Sequence, residues 1–171
     1  MDYLIINEGN SIDQEAFDPK IEQGDARNLK ELHDNSVDLI TAHPPYLNII
    51  RYGQKEVEGN LSAISSLAKF CDDIEKVAQE CFRMLKPGKY CAILIGDTRR
   101  RRHYVPLAFS VMQRFLKAGF ILKEDVIKVQ HNCSTTRYWG AQERDFLLIM
   151  HEHLFIFRKL DTGENTSIFK V

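Results

Sequence analysis

The chain has 171 residues, 44% hydrophobic and 27% charged, with 23 Lys+Arg against 24 Asp+Glu for a net charge of −1. That is one domain's worth of ordinary globular sequence, and no global positive field announces a polyanionic partner. No run approaches the roughly 18 apolar residues of a membrane span, and the acidic stretch Met1 to Glu8 is unlike a signal peptide, so a cytoplasmic protein without membrane contact is expected.

The chain alternates strand-like and helix-like patterns, which predicts an α/β fold with a largely parallel sheet. Met1 to about Asn7 reads as a short strand, and the stretch from Gly9 to Pro19 as an irregular lead-in. Ile21 to Gly24 is a weak strand, followed by a short helix from about Ala26 to His33. Ser36 to Ala42 is a compact apolar run that must stop at His43-Pro44-Pro45-Tyr46, because proline neither donates to a ladder nor continues a helix. Residues 47 to 60, with Gly53, Gly59 and Asn60, read as a loop. Leu61 to Leu85 carries a helical stripe (Leu67, Phe70, Ile74, Val77, Ala78, Cys81, Leu85) that Lys86-Pro87-Gly88 is expected to terminate.

Lys89 to Ile95 reads as a central strand buried on both faces. Val105 to Ala118 is a second amphipathic helix, with Pro106 in its first turn and Gly119 as C-cap. Phe120 to Val129 and Phe146 to Arg158 suit an antiparallel hairpin at a sheet edge, and Leu160 to Val171 a loose tail. The cysteines, Cys71, Cys81, Cys91 and Cys133, include no CxxC pair, so reduced thiols are expected.

The strand running into His43-Pro44-Pro45-Tyr46 closely resembles motif IV, Asp/Asn/Ser-Pro-Pro-Tyr, of the S-adenosylmethionine-dependent methyltransferases that modify exocyclic amino nitrogens of nucleic-acid bases. Gly24-Asp25-Ala26-Arg27 with Leu29, and Asn35 to Ile40, resemble the lead-in to that motif, while Met84 to Gly88 and His151 to Lys159 resemble later ones. The resemblance covers roughly residues 21 to 159, leaving 1–20 as a lead-in or swapped strand and 160–171 as the tail. It implies a Rossmann-like methyltransferase sheet and S-adenosylmethionine as cofactor. It further implies that the first residue's side chain and the next residue's carbonyl, here His43 and Pro44, bind the amino hydrogens of the target base. A rigid Pro44-Pro45 would hold that carbonyl still, and Tyr46 would stack on the flipped-out base. Asp25 is similar to the acidic residue that touches the cofactor's adenine.

His43 departs from the pattern. A neutral imidazole can accept one hydrogen bond and an imidazolium none, so activity is expected to fall as pH drops through the ordinary imidazole value of about 6.5. Adenine and cytosine are not distinguished by a residue outside the usual set. Arg99-Arg100-Arg101-Arg102 follows the strand ending at Ile95, at the sheet edge where α/β proteins bind ligands, and four guanidiniums there would neutralise phosphates. Asp97 ahead of them is a candidate N-cap or salt-bridge partner. His131, Cys133, His151 and His153 match no standard zinc spacing, so no metal is expected.

One element of the family is missing. Its glycine-rich FxGxG cofactor loop needs glycines two apart, and the glycines here stand at 9, 24, 53, 59, 88, 96, 119, 140 and 163. Without the strands that carry this loop, the sheet is incomplete and Val37 to Ala42 becomes an exposed apolar edge. The motif order reads as the later part of a larger domain. A cofactor-binding partner subunit, or self-association with the Met1 to Asn7 strand filling the gap, would cover the edge. The leading expectation is the Pro-Pro-Tyr part of a DNA amino-methyltransferase. An RNA (tRNA) amino-methyltransferase and a non-catalytic nucleic-acid-binding or assembly module are the alternatives.

Overall fold

A computed structural model describes residues 3–6, 20–46, 66–131, 140–141 and 143–165. The 47–60 loop, the expected helix start at 61–65, Cys133 and the end of the tail lie outside the described residues. The elements are β1 (Tyr3–Ile6), β2 (Lys20–Gln23), β3 (Val37–Ala42), α1 (Leu67–Met84), β4 (Leu85–Ile95), β5 (Thr98–Arg100), β6 (His103–Val105), α2 (Leu107–Lys117), β7 (Ile121–Val129) and β8 (His151–Arg158).

The main sheet has the order β3-β4-β8-β7. Only β3 and β4 pair in parallel among the described strands, whereas β4 with β8 and β8 with β7 are antiparallel. The sheet is therefore mixed rather than largely parallel. The expected hairpin forms from β7 and β8, and its second strand inserts between β4 and β7, an arrangement that needs no crossover helix. That second strand begins at His151 and not at Phe146. Before it, Met150 O still accepts from Gln130 N–H at 2.8 Å, and Arg99 of the arginine loop donates to the Leu147 carbonyl at 2.9 Å.

Helix α1 starts at Ser66, whose hydroxyl accepts from the Lys69 N–H at 3.5 Å, and buries Phe70, Cys71, Ile74, Ala78, Cys81 and Met84 along one stripe. It ends at Met84, and the next residue is already extended. Lys86-Pro87-Gly88 thus lies inside β4 instead of terminating the helix. The last carbonyls of α1 are satisfied from outside: Asn35 N–H donates to Arg83 O, Ser36 N–H to Met84 O, and the Lys159 ammonium to Phe82 O at 2.6 Å and Leu85 O at 2.8 Å. With those groups partnered, the chain turns directly into β4. Gly88 sits at φ +76, where the β3–β4 register shifts, and a Cβ there would lie 2.7 Å from the Asp161 carboxylate.

Helix α2 begins after Pro106 and ends at Lys117, with Ala118 at the C-cap position and Gly119 one residue beyond at φ +112. Both helices pack on one face of the sheet. Cys81 of α1 meets Cys91 of β4, whose thiol is pushed up by burial, and Phe115 of α2 stacks on Phe157 of β8 at 4.9 Å. In β4, Cys91, Ile93 and Ile95 are buried while Ala92 and Leu94 are only half-buried, so burial is strong on one face and not on both. Cys71, Cys81 and Cys91 are free and buried.

The segment 26–33 forms turns rather than the expected helix. Its backbone groups are taken by side chains of α1: Glu80 accepts from Leu29 N–H at 2.8 Å, and Arg83 donates to Leu29 O and Leu32 O. Locally, the Asp25 carboxylate accepts from Arg27 N–H, which favours a turn over helix. β2 pairs antiparallel with β1 in a separate two-stranded sheet, which leaves β3 at the end of the main sheet. Beyond β8, Arg158 binds Glu164 and Asp161, holding this exposed stretch against the strand end. No helix among the described residues is long and apolar enough to cross a membrane.

Candidate active site at the Pro-Pro-Tyr segment

Strands β3 and β4 run parallel, so the segments that follow them, His43 to Tyr46 and Gly96-Asp97, emerge at one edge of the sheet. β8 runs antiparallel and its beginning lies opposite the end of β4, with Ile95 facing His153. β7 brings Lys128 directly across from Glu152. Segments distant in sequence therefore converge on Tyr46.

Pro45 is buried, Pro44 and Tyr46 are half-buried, and His43 is exposed. The Tyr46 hydroxyl donates to Glu152 Oε1 in a very short contact, and His43 Nε2 lies 2.8 Å from the same hydroxyl. The two rings meet edge-on at 5.4 Å. Lys128 Nζ binds Glu152 Oε2 at 2.7 Å, a cross-strand ion pair. Burial raises the Glu152 carboxyl, yet hydrogen bonds from Lys128, Tyr46 and Gln130 and the Lys128 charge outweigh it and hold the group below the usual glutamate value. Glu152 is thus an ionised, buried acceptor. Gly96 leaves the room for it: a Cβ there would lie 3.2 Å from Glu152 Cγ and 3.5 Å from the Tyr46 hydroxyl.

Sequence reasoning did not single out Glu152 or Lys128. A carboxylate between two histidines at the head of the apolar run Leu154 to Phe157 was the available signal for Glu152, but only the β7–β8 register reveals its partner.

Asp97 caps α2 by accepting from Ala108 N–H at 2.8 Å and also accepts from the Tyr104 hydroxyl. Burial first, then the neighbouring Asp97, push Tyr104 up to about 12. The four arginines surround the β5–β6 turn, with Arg101 and Arg102 at positive φ. Arg99 lies 4.2 Å over the Phe146 ring and bonds Leu147 O, and Arg102 binds Asp145 at 3.0 Å. These two guanidiniums secure the 143–147 segment, while Arg101 is exposed. Of the histidines weighed for metal, His153 is buried, 3.0 Å from Asp125 and stacked on Phe155, and His151 meets it at 5.2 Å.

Beside β3, on the face where α1 packs, β2, the 24–32 segment, β3 and α1 line a groove of about 460 Å³. Asp25 is on its wall, its carboxylate held 2.7 Å from Arg27, which lowers its pKa through that hydrogen bond.

The model of the N6/N4 DNA methylase family matches residues 37–169. The chain belongs to that family. Its members are S-adenosylmethionine-dependent amino-methyltransferases. Relatives include the Type II beta methyltransferase M.BslI of Bacillus sp. strain NEB-606, 28% identical over 82% of this chain and 16% of the relative. The Type II methyltransferase M.MjaI of Methanocaldococcus jannaschii is 26% identical over 82% of this chain and 55% of the relative. Among solved structures, the DNA modification methylase TTHA0409 of Thermus thermophilus, complexed with S-adenosyl-L-methionine, matches with TM-score 0.59 and 26% identity, over 83% of this chain and 56% of that one. The cytosine-N4-specific PvuII DNA methyltransferase shares the fold, with TM-score 0.61 and 20% identity over 85% of this chain and 51% of that one. This DNA methylase family chain therefore spans 16% and 55% of the lengths of the two relatives.

The residues of this chain alone do not fit the family's cofactor. The sequence holds no Gly-x-Gly, and the one candidate carboxylate, Asp25, is already bound by Arg27.

Proposed function

We propose that this chain is the target-binding part of a site-specific DNA amino-methyltransferase that transfers a methyl group from S-adenosylmethionine to an exocyclic amino nitrogen of adenine or cytosine. The observation that carries this reading is the His43-Pro44-Pro45-Tyr46 segment within the family match, held by Glu152 at the edge where β3 and β4 end. Such an amino nitrogen is a weak nucleophile, because its lone pair is delocalised into the ring. His43 and the Pro44 carbonyl orient it by accepting its hydrogens, and Tyr46 supports the flipped base. The arginine turn Arg99 to Arg102 faces the DNA backbone, with Arg101 the most available donor.

The cofactor loop comes from a second, different chain docking against β3; a second copy of this chain would cover the edge without supplying the loop. Three features support that part of the reading: the missing Gly-x-Gly, the end position of β3, and the groove beside it with Asp25 on its wall. The test is transfer of labelled methyl to DNA by the chain alone and after adding an FxGxG-bearing chain encoded nearby, followed by identification of the modified base. Methylation only in the mixture is expected. Tight S-adenosylmethionine binding by the lone chain would overturn the split site, and methyl transfer to tRNA but not DNA would overturn the substrate. Replacing His43 by Asp should remove the acid limb of the wild-type pH–rate profile. Identical acid limbs would exclude His43 from that role.

A further inference from the structure

We propose that Glu152 is a positioning residue that sets the tautomer of His43: acting through the Tyr46 hydroxyl, it keeps the proton on Nε2 and leaves the Nδ1 lone pair as the acceptor for the target amino group. The role of Nδ1 toward a substrate rests on the methyltransferase reading above; the tautomer itself does not.

The assignment follows from counting hydrogens. The Glu152 side chain is only 5% exposed, and as an ionised carboxylate it can accept but not donate. Lys128, which can only donate, takes Oε2 at 2.7 Å, and the Gln130 side chain donates to the carboxylate as well. Oε1 receives the Tyr46 hydroxyl, so the single hydrogen of that hydroxyl is committed to Glu152. His43 Nε2 stands 2.8 Å from the same oxygen, a separation that requires a hydrogen between them. It must come from the imidazole. A neutral ring protonated on Nε2 is bare on Nδ1. His43 is 51% exposed, and its Nδ1 has no hydrogen-bond partner among the described residues.

The family's usual Asp, Asn or Ser presents an oxygen lone pair in any protonation or rotamer state it adopts at neutral pH. An untethered histidine does not, because its proton can occupy either nitrogen. The Lys128–Glu152–Tyr46 chain removes that freedom, and the Gly96 position leaves space for it. Charged groups reach the cluster from β7 (Lys128) and β8 (Glu152), the strands that pair at this point.

The test is the isosteric substitution Glu152→Gln. Lys128 still needs an acceptor and will claim the amide oxygen, turning the amide NH₂ toward Tyr46. The hydroxyl then accepts from Gln and donates to His43, which forces the proton onto Nδ1. Long-range proton–nitrogen correlation spectra of the ¹⁵N-histidine-labelled chain, recorded well above the ordinary imidazole pKa of about 6.5, read the tautomer directly. The His43 signals are assigned by their loss in His43→Asn. The expected result is an Nε2–H pattern in the wild type, an Nδ1–H pattern in Glu152→Gln, and return to Nε2–H in Glu152→Gln/Lys128→Met, where the amide is free to turn back. Nδ1–H in the wild type, or no change in Glu152→Gln, would overturn the proposal.

In a methylating preparation, Glu152→Gln should lower kcat on the order of tenfold or more with little change in KM for DNA, as for an interaction strengthened in the transition state. Unchanged kcat despite the switched tautomer would overturn the positioning role. The predicted tautomers in a chain that never methylates, even with its partner, would support the lock and count against the proposed function instead.

Discussion

The two ends of the main sheet are built differently. At one end, β7 is fully paired to β8, carries Lys123, Glu124, Asp125 and Lys128 along its length, and rests beside a core of interlocked phenylalanines. At the other, β3 likewise pairs on one side only among the described residues, exposes Leu39 at 56% as β7 exposes Val129 at 59%, and borders the groove of about 460 Å³. Charges along an edge strand discourage further pairing, whereas an apolar edge beside a cavity invites it. Both are edge strands among the described residues; they differ in the row of charges along β7 and the groove beside β3. The candidate chemistry lies between the two ends, where β3, β4, β7 and β8 share an edge.

Substitutions can test this contrast, and the largest effect belongs in the phenylalanine core beside β7. Phe157 is fully buried and touches Phe115, Phe120 and Phe155. Phe157→Ala should cost about 3–5 kcal/mol in urea unfolding. A cost under about 1 kcal/mol would mean that the core is not centred there. Next is Asp97→Ala, which removes the cap of α2 and leaves the Tyr104 hydroxyl without its acceptor. A loss of about 1–2 kcal/mol is expected, and Asp97→Asn should recover most of it by preserving a capping oxygen.

A smaller, pH-dependent effect is expected at the shared edge. Glu152 titrates lower when folded than when unfolded, so the folded state binds that proton less readily. Its stabilising contribution is complete above the unfolded glutamate pKa of about 4.3 and fades as pH falls through the lower folded value. Wild type should therefore exceed Glu152→Gln in denaturation midpoint near neutrality, and the gap should close in acid. A gap that is constant with pH would show that packing, not charge, accounts for the difference.

The smallest effect belongs at β3. Leu39→Lys should change the stability of the chain alone by less than about 0.5 kcal/mol, because the side chain is already exposed. The same substitution should impair methylation in the mixture with a cofactor-bearing chain. Marked destabilisation of the lone chain would mean that β3 is covered from within, and the contrast between the two ends would fail.

Parts of this architecture were legible in the primary structure because they depend on local chemistry. The apolar run at 37–42 stops where proline must stop it, the stripe of α1 follows helical spacing, and β7 and β8 form the expected hairpin. Other parts were misread because distant groups overrode local preference. Residues 26–33 have a helical pattern, but Glu80 and Arg83 on α1 satisfy their backbone groups and hold them in turns. The Lys86-Pro87-Gly88 stop signal is absorbed into a strand because Lys159, Asn35 and Ser36 have already capped α1. Likewise, Asp97 is close in sequence to four arginines, yet it caps a helix and binds a tyrosine.

By itself, the sequence determined the family, the Pro-Pro-Tyr segment and the absence of a Gly-x-Gly loop, since each is a property of residue identity and spacing. Only the tertiary structure decided that Glu152 and Lys128 join that segment, and that a groove lies beside β3. Tyr46 and Glu152 are 106 residues apart, and it is the pairing of β4, β8 and β7 that brings them within hydrogen-bond reach. Hydrogen-bond direction depends on which donor meets which acceptor in space, and residue spacing along a chain does not specify that.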